Sequence, residues 1–137
     1  MTLNEHRTIL VIDNDQELTR ALTKRLGSVG FRCIATESGL QGLAEFRRGG
    51  IDLVVTDLNM PGGDGVMLAE TIRKTSAVPI IFITGFREDF KRRLRHVQNV
   101  STLQKPFMSH DLVDLITTAL GQDSLPASPA HTTPETA

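Results

Sequence analysis

The chain has 137 residues, which is enough for one domain with a hydrophobic core and short for two. Its formal net charge is −1 and it has one cysteine, Cys33. The overall charge therefore gives no reason to expect nucleic acid or an anionic membrane as a partner, and an internal disulfide is excluded. The sequence shows no membrane-spanning apolar stretch and no signal-peptide pattern in residues 1–7, so we expect a cytoplasmic protein.

Short apolar runs alternate along the chain with segments whose apolar residues repeat at helical spacing. The runs predict strands at residues 9–12, 31–35, 51–55, 80–83 and 100–103. The helical spacing predicts a helix after each strand, with apolar faces that include Leu22 and Leu26, Leu43 and Phe46, Leu68 and Ile72, Phe86 with Phe90, Leu94 and Val97, and finally Leu112 and Ile116. Because apolar strands must be covered on both faces, this pattern predicts a three-layer α/β domain with a doubly wound, parallel five-stranded sheet.

Local signals mark the ends of the predicted helices. Asp15 and Ser109 are of the residue type that caps helix N-termini, and we favour this role for Asp15 over metal binding. Helix ends are expected at glycines that can take a left-handed conformation: Gly27, Gly30, Gly49, Gly50 and Gly121. From Gln122 onward the composition shifts to Ser, Thr, Ala and Pro, so we expect a domain over residues 7–121 and a disordered tail over residues 122–137.

Polar side chains follow four of the predicted strands. The first strand is followed by Asp13-Asn14, the third by Asp57, the fourth by Thr84 and the fifth by Lys105. Ligands of open parallel sheets bind beyond the carboxyl ends of the strands, so these side chains are expected to meet there.

The residue types indicate phosphoryl chemistry at this edge of the sheet. Oxygen atoms of Asp13, Asn14 and Asp57 suit Mg²⁺, which prefers oxygen ligands and keeps several waters. With its charge stabilised, Asp57 can attack phosphorus as a carboxylate nucleophile and form an aspartyl phosphate. Thr84 and Lys105 can then bind phosphoryl oxygens.

Four motifs, ILVIDND, DLVVTDLNMPGGDG, PIIFITG and LQKPF, together resemble the receiver domain of bacterial response regulators over residues 7–120. This resemblance implies a flavodoxin-like fold with strand order 2-1-3-4-5. It also implies that Asp57 accepts phosphate from a sensor histidine kinase or histidine phosphotransfer protein, that the main-chain carbonyl of Asn59 binds Mg²⁺, and that the Lys105-Pro106 peptide is cis. A homodimer through helix 4, strand 5 and helix 5 would follow the family's usual contact surface.

Two positions depart from the family pattern. Asn14 stands where a second acid is usual, which predicts weaker Mg²⁺ binding. Thr102 stands where an aromatic ring commonly swings inward, and the chain contains no Tyr or Trp. Coupling from Asp57 to the surface of helix 4, strand 5 and helix 5 is therefore expected to be altered, which makes a phosphorelay intermediate a plausible role.

Other interpretations remain open. If Asp57 were only a structural cap, the presence of Thr84 and Lys105 at other strand ends would be a coincidence. A dehalogenase-type phosphatase needs a second acid two residues after the nucleophile, and Asn59 stands there. A degenerate receiver that acts as an unphosphorylated binding module is the main alternative.

The sequence says less about partners and output. The basic segment at residues 87–96 is interpreted as a solvated helix face, with an acidic protein partner as the alternative. Direct DNA recognition is not expected because the sequence carries no helix-turn-helix. The protein could be a stand-alone regulator or a receiver cut from a longer kinase.

Overall fold

The computed structural model describes residues 7–60, 65–85 and 87–124, in which five strands alternate with five helices. The strands are β1 (Thr8–Ile12), β2 (Arg32–Thr36), β3 (Leu53–Asp57), β4 (Ile80–Thr84) and β5 (Val100–Gln104). The helices are α1 (Gln16–Ser28), α2 (Gly39–Arg47), α3 (Gly65–Arg73), α4 (Arg87–Arg93) and α5 (Ser109–Ser124).

The strands form one parallel sheet in the order β2-β1-β3-β4-β5, as the resemblance implies. Strand order reverses between β1 and β3, since the chain leaves β1 toward β2 and returns to the other side of β1. In the register of the central pair, Ile12 lies beside Thr56, so Asp13 and Asp57 follow at the same edge of the sheet. A crevice at this switch point is where such sheets bind ligands.

Each face of the sheet packs into its own hydrophobic core. Leu10, Ile12 and Phe82 point to one face, which α2, α3 and the residues after α4 cover. Ile9 and Val11 point to the other face, which α1 and α5 cover. The strands β1, β3 and β4 are buried along their whole length, which is why their sequences read as continuous apolar runs. The predicted three-layer architecture is confirmed.

The observed helix ends agree in part with those predicted from the sequence. Asp15 caps α1, because its side chain accepts a hydrogen bond from the Leu18 N–H. Gly30, Gly49 and Gly50 have positive φ, as expected for glycines that end helices. Gly27 instead lies inside α1. The predicted face of α1 is confirmed by burial of Leu22 and Leu26.

The last two helices differ more from expectation. The helix α4 ends at Arg93, so Leu94 and Val97 are buried in residues that follow the helix rather than on its face, while Phe86 lies outside the described residues. Ser109 is the first residue of α5 rather than a residue before it. The helix continues through Gly121 to Ser124, past the predicted domain boundary, because no residue at this point requires a left-handed conformation. The rest of the predicted tail, residues 125–137, lies outside the described residues.

Two further expectations concern the chain as a whole. Cys33 is partly buried, its Sγ lies 3.6 Å from the Thr23 hydroxyl, and burial raises the pKa of its thiol, which fits a packed strand residue. Among the described helices, none combines the length and apolar character needed to cross a bilayer.

Candidate functional site

Three strand ends bring Asp13, Asp57 and Lys105 together. The Lys105 Nζ lies 3.4 Å from Asp13 Oδ2 and 3.6 Å from Asp57 Oδ2. Asp13 follows β1 and Lys105 follows β5, and β3 and β4 separate these strands in the sheet. The aliphatic part of the lysine therefore reaches across the end of the sheet to place its ammonium between the two carboxylates.

Each carboxylate is held by a backbone N–H two residues further along the chain. The Asp15 N–H donates to Asp13 Oδ1 at 2.9 Å, and the Asn59 N–H donates to Asp57 Oδ1 at 3.1 Å. These local bonds follow from the tendency of Asp to accept from the backbone in turns. One oxygen of each acid is thus anchored, and the other oxygen faces Lys105.

The site places two acids in a poorly solvated position. Asp13 is 1% exposed and Asp57 is 9% exposed. Burial raises the pKa of the Asp57 carboxyl above its usual 3.8, and the charge of Asp13 raises it further. The Asn59 N–H and the Lys105 ammonium act in the opposite direction, but they do not cancel the effect of burial. An added cation near Asp57 would therefore favour its ionised, nucleophilic form.

This raised pKa predicts how Asp57 affects stability. The folded state retains the Asp57 proton at pH values where the unfolded chain has lost it. The contribution of Asp57 to the free energy of unfolding is therefore most favourable below about pH 3.8 and is lost as the pH rises through the folded-state pKa.

We expect Asp57→Asn to be more stable than the native chain at pH 7 in EDTA, and to show a smaller advantage at pH 4. Urea unfolding of both proteins at the two pH values measures this difference. Asp114→Asn, which changes an exposed acid on α5, is the matched control. An Asp57→Asn protein that is less stable than the native chain at pH 7 would contradict the expectation.

Thr84 and Pro106 lie where the sequence places them. Thr84 ends β4 and is 0% exposed, and its carbonyl accepts a 2.8 Å hydrogen bond from the Lys105 N–H. The Lys105-Pro106 peptide bond is cis, as the resemblance implies. The backbone of β4 therefore holds the start of the segment that carries the ammonium.

The two asparagines are exposed, whereas the two acids are buried. Asn14 is exposed and follows the buried Asp13, and Asn59 is exposed and follows the buried Leu58. The described residues include no group of three or more His, Cys, Asp or Glu side chains that could bind a metal.

The available oxygens nevertheless fit Mg²⁺. The Oδ2 atoms of Asp13 and Asp57 converge on one cation, Lys105, which shows that this edge of the sheet accommodates positive charge. Amide or main-chain oxygens of Asn14 and Asn59 and several waters would have to complete the six ligands. The weaker Mg²⁺ binding expected from Asn14 stays a prediction.

A close approach of backbone holds the turn after Asp57 against α3. A methyl group on Gly65 would lie 2.8 Å from the Asp57 carbonyl oxygen and 3.0 Å from the ring of Phe82. Backbone atoms cannot retreat as a flexible side chain can, so only glycine fits at this position. By contrast, a methyl on Gly27 would meet nothing within 4 Å.

Thr102 lies in β5 beside Phe82 of β4. Its hydroxyl is buried and has no hydrogen-bond partner. Phe82 is 0% exposed and is among the largest fully buried side chains. The aromatic volume on this part of the sheet is therefore supplied by β4, and β5 contributes a small side chain.

Sequence analysis missed the contacts of two arginines: Arg93 lies beside the site, and Arg73 lies at the opposite edge of the sheet, where β5 begins. The Arg93 Nη1 donates to Asn59 Oδ1 at 2.9 Å, whereas the sequence predicts only a solvated face for residues 87–96. Arg73 at the end of α3 donates to the carbonyls of Ser76, Gln98 and Asn99 and so fixes the loop before β5. A basic residue at the end of a helix is a common pattern, and neither partner could be identified from spacing.

Comparison with known proteins decides the family. The family model described as the response regulator receiver domain matches residues 9–117 of the chain. The chain belongs to the response-regulator receiver family. It is thus a receiver domain of two-component signalling, and the fold and motifs described above agree with this membership.

Individual relatives that the chain matches are longer proteins. It is 33% identical over 129 residues to the probable transcriptional regulator ycf27 of Pyropia yezoensis, covering 86% of this chain and 53% of that protein. It is 33% identical over 106 residues to the sensor histidine kinase RcsC of Salmonella typhimurium, covering 75% of this chain and 11% of the kinase. The receiver therefore spans about half of the first relative and a small part of the second.

Solved structures show the same fold. A response regulator receiver protein from Sinorhizobium medicae has a TM-score of 0.78 and 29% identity, covering 85% of this chain and 96% of that one. The response regulator TrrA from Thermotoga maritima, in complex with Mg²⁺-BeF, has a TM-score of 0.74 and 26% identity, covering 82% and 98%.

Proposed function

We propose that this receiver accepts a phosphoryl group on Asp57 from the phosphohistidine of a histidine kinase or histidine phosphotransfer protein, in a Mg²⁺-dependent reaction. The observation that carries the proposal is the convergence of Asp13 Oδ2 and Asp57 Oδ2 on the Lys105 ammonium, at 3.4 and 3.6 Å. The match to a sensor histidine kinase supports the proposed partner, and the TrrA complex with Mg²⁺-BeF supports the proposed metal.

The residues of the site would divide the work as follows. The ionised Asp57 Oδ2 attacks phosphorus, the phosphorus–nitrogen bond of the phosphohistidine breaks, and the imidazole leaves as the free histidine. Lys105 pairs with a phosphoryl oxygen and Thr84 donates its hydroxyl to another. The anchored Asp57 Oδ1 keeps the carboxylate in one orientation for the attack.

Mg²⁺, when bound, would neutralise charge on the phosphoryl oxygens and keep Asp57 ionised. The residues proposed to hold it are Asp13, Asn14, Asp57 and the main-chain carbonyl of Asn59. Burial raises the pKa of the Asp57 carboxyl, and a cation bound beside it would act in the opposite direction.

The only catalysis we propose is on the protein itself. A phosphatase of the dehalogenase type would need an acid two residues after Asp57, and the Asn59 side chain there instead accepts a hydrogen bond from Arg93. We further propose that the protein works in the cytoplasm, either through protein–protein contacts or as a phosphorelay intermediate. It would not bind DNA directly. A homodimer through α4, β5 and α5 would be one form of such contact.

Intact-mass measurement after incubation with Mg²⁺ and acetyl phosphate tests the proposal. We expect the native chain to gain the mass of one phosphoryl group, Asp57→Ala to gain none, and Asp114→Ala to gain it as the native chain does. No gain in the native chain from acetyl phosphate or from a panel of phosphorylated histidine kinases would favour the alternative, a degenerate receiver that binds partners unphosphorylated.

A further inference from the structure

Two consecutive hydrogen bonds connect the end of α4 to the phosphoacceptor. The Arg93 Nη1 donates to Asn59 Oδ1 at 2.9 Å, and the Asn59 N–H donates to Asp57 Oδ1 at 3.1 Å. A single residue, Asn59, thus connects the guanidinium to the carboxylate to which the phosphoryl group is proposed to be added.

The backbone on both sides of the contact is held in place. Leu58 and Met60 flank Asn59 and are 0% and 7% exposed, and Leu94 follows Arg93 and is 3% exposed. All three belong to the same hydrophobic core. When the charge at Asp57 changes, the Arg93 side chain can therefore move more easily than the turn can.

One acceptor of the Arg93 guanidinium, the Asn59 side chain, is a weak one. Asn59 Oδ1 is a neutral amide oxygen, whereas a phosphoryl group carries about −1.5 to −2 charges at pH 7 and three strong acceptor oxygens. Hydrogen bonds between ionised partners are about twice as strong as neutral ones, and arginine binds phosphoryl oxygens with two donors. A phosphoryl group on Asp57 would thus compete with Asn59 for Arg93.

We propose that Arg93 is an additional phosphoryl-binding residue of this receiver, which leaves Asn59 Oδ1 for a phosphoryl oxygen when Asp57 is phosphorylated. The proposal rests on the phosphorylation of Asp57 proposed above. It gives α4 a direct contact with the phosphoryl group that requires no aromatic ring at position 102, where Thr102 has a buried hydroxyl without a hydrogen-bond partner.

Binding of beryllium fluoride in saturating Mg²⁺ tests this role, with affinities measured by calorimetry. We expect Arg93→Ala to bind beryllium fluoride about tenfold more weakly, since one hydrogen bond between charged groups is lost. In the absence of beryllium fluoride, the same variant should bind Mg²⁺ at least as tightly as the native chain, because a neighbouring positive charge has been removed. Arg93→Lys should recover part of the beryllium fluoride affinity.

Arg95→Ala is the matched control, because it removes the same charge from an exposed residue two positions further along. It should leave both affinities within about twofold, as expected for a distant, screened charge.

The outcomes separate the two proposals. If the native chain binds beryllium fluoride and Arg93→Ala binds it equally well, the role of Arg93 is wrong and the phosphoacceptor function stands. If Arg93→Ala loses Mg²⁺ and beryllium fluoride affinity in equal proportion, Arg93 only supports the fold of the turn, and the inference is again overturned. If the native chain binds no beryllium fluoride, both proposals fail.

Discussion

Replacing Lys105 by alanine is expected to slow phosphorylation by acetyl phosphate about a hundredfold, the usual loss when one donor that stabilises a developing oxyanion is removed. The ammonium is shared by Asp13 and Asp57, at 3.4 and 3.6 Å, so its loss leaves two buried acids without their common counter-ion. The pKa of the Asp57 carboxyl, already raised by burial, should rise further. Both the nucleophile and the phosphoryl contact are therefore weakened by one substitution.

The rate is measured by intact mass over time at saturating Mg²⁺. Lys91→Ala removes the same charge from an exposed position on α4 and should phosphorylate at nearly the native rate. Lys105→Arg should be intermediate, because it keeps the charge but not the compact ammonium. A Lys105→Ala rate within about threefold of the native rate would show that the observed geometry is not used in catalysis.

Asn14→Asp is expected to tighten Mg²⁺ binding by about tenfold, or about 1.4 kcal/mol. Two unit charges 4 Å apart interact with about 4 kcal/mol at an effective dielectric constant of 20, and repulsion from Asp13 and Asp57 offsets part of this gain. The added acid is exposed, so its ionisation costs little desolvation.

Calorimetric Mg²⁺ titration measures the change, since the chain has no Trp or Tyr to report binding by fluorescence. Gln98→Glu adds the same charge at an exposed position before β5 and should leave the affinity unchanged. In EDTA, Asn14→Asp should lower the free energy of unfolding, because three acids then lie together without a metal. Equal Mg²⁺ affinities for Asn14→Asp and the native chain would remove Asn14 from the metal site.

Much of the site could be predicted from the sequence because its residues follow apolar runs. Asp57 and Thr84 end β3 and β4, and Asp13 and Lys105 directly follow β1 and β5, so their place at one edge of the sheet follows from finding the strands. The cap at Asp15 is equally local, since its acceptor and donor are three residues apart. The two helix ends predicted at Gly27 and Gly121 were also based on local signals, and they are wrong. Both glycines lie within helices, because packing of α1 and α5 outweighs the preference of glycine for helix ends.

The sequence by itself determined the parallel α/β architecture and the set of residues at the strand ends, because strand and helix periods are properties of neighbouring residues. Only the tertiary structure decided which atoms meet. Lys105 and Asp13 are 92 positions apart, and Arg93 and Asn59 are 34 apart, so both contacts depend on how the sheet and α4 pack. Burial at the end of the sheet likewise raises the pKa of Asp57, since desolvation is produced by surrounding elements and not by neighbours in the chain.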